Sequence, residues 1–138
     1  MSLEQKTEMS NQTYDMIHAN MIERYGEAIV KSTQETSEFT ISWFPKHGGR
    51  QVSMIVNVNT LGGLKIRFSR NAVEGISRKE ETPPGHLCIR LTDKICIRIV
   101  DTPELEHLRV NLYPDKTYAA DKTARQLAFD LVNVILAA

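Results

Sequence analysis

A chain of 138 residues has the length of one domain, and 41% hydrophobic with 25% charged residues is the balance of an ordinary globular protein. Seventeen Lys and Arg offset seventeen Asp and Glu, so no global charge draws the molecule to nucleic acid or to a membrane, and any such attraction has to come from a local patch. No window approaches the run of about 18 apolar residues that crosses a bilayer, and two cysteines are too few for a disulfide scaffold. A single domain over 1–138 is expected, flexible over 1–9, cytoplasmic, away from membranes, with its thiols reduced.

Between Ser10 and Lys31 the apolar residues Tyr14, Ile17, Met21, Tyr25, Ala28 and Ile29 recur at helical steps, with Asp15, Asn20, Glu23 and Glu27 on the wet side. Gly26 lies inside that pattern and costs about 1 kcal/mol against Ala, so a bend is expected there. The polar run Ser32 to Ser37 ends the helix.

Two alternating segments follow, Phe39 to Trp43 and Val52 to Val58, joined by a loop in which Gly48 and Gly49 supply positive φ angles. Gly62 and Gly63 turn the chain into a third, Leu64 to Phe68. Residues Ser69 to Gly85 interrupt the pattern: Asn71 to Ile76 reads as a helical turn or a short edge strand, and Pro83, Pro84 and Gly85 close the interruption. Three more alternating segments run from His86 to Leu91, Lys94 to Ile99 and Leu108 to Leu112, the first two joined by a tight turn at Thr92 and Asp93.

Past Pro114, Asp115 or Thr117 can cap a helix running to Ala137. Its second half, Leu127 to Leu136, is apolar over most of its circumference, so the helix is either central in the core or in contact with a second copy of the chain. Six strands at about 4.8 Å spacing make a sheet about 25 to 29 Å wide, of which two helices cover most of one face. The expected fold is α+β: an antiparallel sheet of about six strands with the N- and C-terminal helices packed on one face. Strong curling would instead give a partial barrel plugged by the last helix.

Strand parity sends Leu87, Ile89, Ile95, Ile97, Ile99, Leu108, Val110 and Leu112 inward. It sends Lys65, Arg67, Arg90, Arg98 and Arg109 outward, with Arg50 at a strand entrance and no acidic residue at an outward position of those strands. Such a face suits phosphates or an acidic partner, because Arg holds either with two parallel hydrogen bonds. Outward Lys and Arg also deter edge pairing and keep a face wetted, which is the plainer use. Stacking aromatics for single-stranded RNA are missing, since Trp43 and Phe68 fall in the inward register.

Cys88 and Cys96 share the outward parity on neighbouring strands, with His86 close by. Zinc would need a fourth ligand such as His107 or His47, a cross-strand disulfide is at odds with a reducing compartment, and no Cys-His arrangement for nucleophilic catalysis is evident. No cofactor is implied. The carboxylates lie mainly in turns and caps.

The order helix, three strands, irregular insert, three strands, helix resembles in outline the bacterial secretion chaperones, small dimers that bind effector segments. Those are typically acidic, whereas this chain is neutral. The sheet closed by a C-terminal helix is also similar to a pleckstrin-homology outline. The reading of function is therefore a non-catalytic protein-interaction module, adaptor or chaperone-like, presenting an open sheet face with Lys65, Arg67, Arg90, Arg98, Arg109 and Arg50 to a partner protein, with a homodimer through the C-terminal helix. The alternatives are nucleic-acid or other polyanion binding through the same face, and an enzyme or zinc site around Cys88 and Cys96.

Overall fold

A computed structural model of the chain describes residues 2–27, 30–44, 50–59, 62–73, 85–91, 95–100, 106–113 and 123–137. The first helix, α1, spans Leu3–Tyr25 and starts well before Ser10. Its apolar stripe begins later than the helix itself because a capping box holds the first turn: the Gln5 amide donates to the Ser2 hydroxyl at 3.2 Å and the Ser2 amide to the Gln5 side chain at 2.8 Å. At the other end Gly26, at φ 87°, terminates the helix instead of bending it, its N–H donating to the Ile22 carbonyl at 2.8 Å. Ala28 and Ile29 lie outside the described residues.

The polar run after the helix is a strand, β1 (Lys31–Gln34), exposed along its length and antiparallel to β2 (Glu38–Trp43). Alternation could not reveal it, because its helix-facing side chains are polar and meet polar residues of α1. The Ser32 hydroxyl lies 2.7 Å from that of Tyr14, and the Gln34 amide donates to Asn11. Tyr14 in turn stacks on His18 and meets Phe39 edge-on, with ring centres 4.9 and 5.4 Å away.

The meander continues through β3 (Val52–Val58) and β4 (Leu64–Ser69). Between them Gly62 takes φ 86° and the Gly63 amide donates to the Asn59 side chain at 2.9 Å. A single 3-10 turn at Arg70–Val73 follows, where the Asn71 amide donates to the carbonyls of Arg50 and Gln51, both at 3.1 Å. Strands β5 (His86–Arg90) and β6 (Cys96–Val100) come next, then β7 (His107–Leu112). The second helix, α2, spans Ala124–Ala137 and is opened by a reciprocal box between Thr123 and Gln126, at 3.1 and 3.2 Å. The Gly48–Gly49 loop, the Thr92–Asp93 turn and the expected caps Asp115 and Thr117 lie outside the described residues.

The fold is α+β, with antiparallel pairing throughout. In place of one sheet of about six strands, the described residues form two: a five-stranded sheet in the order β1-β2-β3-β4-β7, and a two-stranded ribbon of β5 and β6. Among the described residues the larger sheet is not closed, with β1 and β7 at its edges. Strand β6 lies beside β7, yet no ladder joins them.

Burial alternates strictly along β2, β3 and β4, and Phe39, Ile41, Met54, Val56, Ile66, Phe68 and Leu108 form the centre of one apolar cluster. Helix α1 meets β2 and β3, and α2 meets β4, β7 and β5. The apolar girth of α2 goes into the same cluster through Leu127, Ala128, Leu131, Val132, Ile135 and Leu136, leaving Phe129 and Val134 half-buried. Gln12 bonds Arg125 and Asn20 bonds Asn133, each pair advancing together along both helices, so α1 and α2 run side by side in the same direction.

Candidate interaction surface

The register of the ladders sets which side chains share the outward face. One cross-strand row reads Thr33, Thr40, Ile55, Arg67 and Arg109, and the next reads Glu38, Asn57, Lys65 and Asn111. Arg67 therefore sits directly opposite Arg109, a like-charge pair that is unfavourable unless one partner turns away. Arg67 does turn away: it reaches over β3 to Glu38, Nη2 to Oε1 at 3.5 Å, and Glu38 also accepts from the Asn57 amide at 3.3 Å.

Glu38 stands on β2, outside the cation-bearing strands, and brings an acid onto the same face. Strand β2 begins one residue before its apolar pattern, and that residue points out beside Arg67. The Arg67 and Glu38 side chains are each 33% exposed, so the pair contributes at most about 1 kcal/mol. Its consequence is local neutralisation, with the Arg67 Nε left buried and without a partner.

The six cations singled out in the sequence are divided among three places. Lys65, Arg67 and Arg109 share the face of the larger sheet, Arg90 and Arg98 lie on the ribbon, and exposed Arg50 precedes β3. Across the division, Arg98 and Arg109 come together on either side of the seam between β6 and β7. A groove of about 530 Å³ opens there, lined by both guanidinium-bearing residues with Ile97, Val100, Asn111 and Tyr113. Val100 is 51% exposed and Tyr113 49%. Among the described residues Arg98 and Arg109 make no hydrogen bond or ion pair.

Val100 and Tyr113 were not among the residues marked by charge and parity. The signal existed all the same: Ile99-Val100 and Leu112-Tyr113 each end an alternating run with an apolar residue in the outward register, where the pattern calls for a polar one.

Cys88 and Cys96 meet diagonally across the ribbon, with Arg98 opposite Cys88 and Arg90 opposite Cys96. Their sulfurs are joined, at a Cα separation of 6.0 Å that falls within the usual span of a disulfide. This corrects the expectation of two separate thiols, which was drawn from the compartment and not from the pairing of the strands. Joined sulfurs are not available as zinc ligands, and among the described residues no group of three or more His, Cys, Asp or Glu gathers elsewhere. No helix among the described residues is long and apolar enough to cross a membrane.

The chain matches no protein-family model, none of the curated proteins and none of the solved structures compared with it. The surface has to be read from its own chemistry.

Proposed function

We propose that the chain is a non-catalytic interaction module, adaptor or chaperone-like in role, that docks a partner protein at the β6–β7 seam and on the sheet face beside it. The observation that supports this reading is the company kept by Arg98 and Arg109. Two guanidinium groups that have no partner among the described residues line a groove with a half-exposed tyrosine and a half-exposed valine. Aromatic residues and Arg are enriched where protein partners anchor, since both combine apolar area with hydrogen bonding.

Polyanion binding through Lys65, Arg67, Arg90, Arg98, Arg109 and Arg50 is the weaker reading. A polyanion needs a continuous track of cations, ideally with stacking rings. Here Glu38 offsets Arg67, and Arg90 and Arg98 lie on a separate ribbon. A homodimer through α2 is likewise less favoured, because most of that helix's apolar surface is spent inside its own chain.

Affinity capture on the immobilised chain, with nuclease and with Arg109→Glu, tests the reading. A protein partner retained after nuclease and lost with Arg109→Glu supports it. Strong retention of the chain on heparin, weakening linearly with the logarithm of salt, would assign the surface to polyanions instead.

A further inference from the structure

The disulfide of the ribbon joins two sulfurs that differ in access. Cys88 is only 6% exposed, whereas Cys96, at the start of β6, is half-buried. In thiol–disulfide exchange a thiolate attacks one sulfur and the other departs, and access decides which is attacked. Here Cys96 is the sulfur within reach and Cys88 the one that leaves.

The register sets a cation beside each of them. Arg98 stands directly opposite Cys88 and Arg90 directly opposite Cys96. Residues so paired share a face, with Cβ atoms about 4.5–5.5 Å apart. A positive charge that close favours the thiolate over the thiol, which eases the departure of Cys88 and stabilises the opened form.

The ribbon does not depend on the bond for its shape. A ladder pairs β5 with β6 from His86 opposite Val100 to Arg90 opposite Cys96, and Leu87, Ile89 and Ile99 are buried in the common core. With the bond opened, the ladder keeps both thiols near their present Cα separation of 6.0 Å. Closure is then a step between groups already side by side, which needs no search by the chain.

We infer that Cys88 and Cys96 form a reversible dithiol–disulfide couple that exchanges with a glutathione-type thiol, entering at Cys96. In opening, the incoming thiolate bonds to the Cys96 sulfur while the Cys88–Cys96 bond breaks and its electron pair leaves on Cys88. A second thiolate attacks the incoming sulfur and releases Cys96 as a thiolate together with the small-molecule disulfide. The two protons given up by the incoming thiols are taken by the two protein sulfurs, so two small thiols are oxidised and the protein disulfide is reduced. Closure is the reverse, with glutathione disulfide as the oxidant. None of these steps draws on the docking role proposed above.

The test incubates the full chain, started once oxidised and once reduced, in a series of mixtures of reduced and oxidised glutathione. Acid quenching, alkylation and mass measurement then count the free thiols. Expected is one curve from both starting forms, crossing from dithiol to disulfide within the series, with the same circular-dichroism spectrum at both ends. In Cys88→Ser, glutathione disulfide should leave an adduct on Cys96, and in Cys96→Ser the adduct on Cys88 should form more slowly. Adding Arg90→Gln, at an exposed site, to Cys88→Ser should slow the Cys96 adduct about threefold, a roughly tenfold smaller thiolate fraction being offset about threefold by stronger nucleophilicity. Lys31→Gln, on the far strand of the sheet, should leave that rate as it was.

A bond that yields to dithiothreitol but stays closed at the reduced end of the glutathione series would overturn the couple and leave a purely structural crosslink. So would two free thiols throughout the series, or a dithiol form that has lost its fold. Faster reaction at Cys88 than at Cys96, or an Arg90→Gln rate equal to that of Lys31→Gln, would overturn the assignment of the entry sulfur and its cation.

Discussion

The Asn20 side-chain amide donates to the Asn133 side-chain oxygen at 2.6 Å, joining α1 to α2 across a separation of more than a hundred residues. Both groups are partly buried, so deleting one leaves the other short of a partner, at a cost of about 1 kcal/mol. Asn20→Ala and Asn133→Ala should each lower stability by that amount. The double variant should lose clearly less than their sum, as a urea-unfolding cycle would measure. Strict additivity would mean that the helices do not meet there.

Leu127 is fully buried against the sheet. Leu127→Ala should therefore cost about 2–5 kcal/mol, with a urea midpoint that does not move with protein concentration. A midpoint that rises with concentration would show that α2 buries its surface against a second copy.

Burial pushes the Tyr25 phenol above its ordinary value, while the neighbouring Arg24 charge and the hydrogen bond with Trp43 pull it back. A phenol whose folded value is raised favours the folded state fully below its unfolded value near 10.0, and that contribution is lost as pH rises through the folded value. Spectrophotometric titration should find one tyrosine ionising late. Tyr25→Phe should flatten the fall in stability above about pH 10.

Cys88 and Cys96, eight positions apart in sequence, close a short loop. Thiol labelling of the unreduced, denatured chain should find neither cysteine free, and both free after reductant. Reduction should cost about 2–3 kcal/mol of stability, the magnitude expected for so small a loop. Two labelled cysteines without reductant would contradict the pairing.

Much of the fold was legible in the chain because alternation and burial coincide from Phe39 to Phe68 and again from Leu108 to Leu112. Strand β1 was hidden because a strand covered by hydrogen bonds to Asn11 and Tyr14 needs no apolar side. The division into sheet and ribbon was hidden for another reason: parity states which way Arg98 and Arg109 point, but not whether their strands are bonded to each other. Glu38 escaped notice because an apolar pattern marks where burial starts, not where pairing starts. Outward cations were found one by one; the register showed that Arg67 lies near Glu38, and only the groove between β6 and β7 brought Arg98 and Arg109 to one place.

The claim that a partner docks over the β6–β7 seam is tested most directly by a photo-crosslinking residue placed at Tyr113 in the native cell, with Lys31 as the comparison site. The account expects a discrete protein adduct from Tyr113, none from Lys31, and loss of that adduct when Arg98→Glu and Arg109→Glu are combined. The same adduct from both sites, or one that survives the double charge reversal, would contradict it.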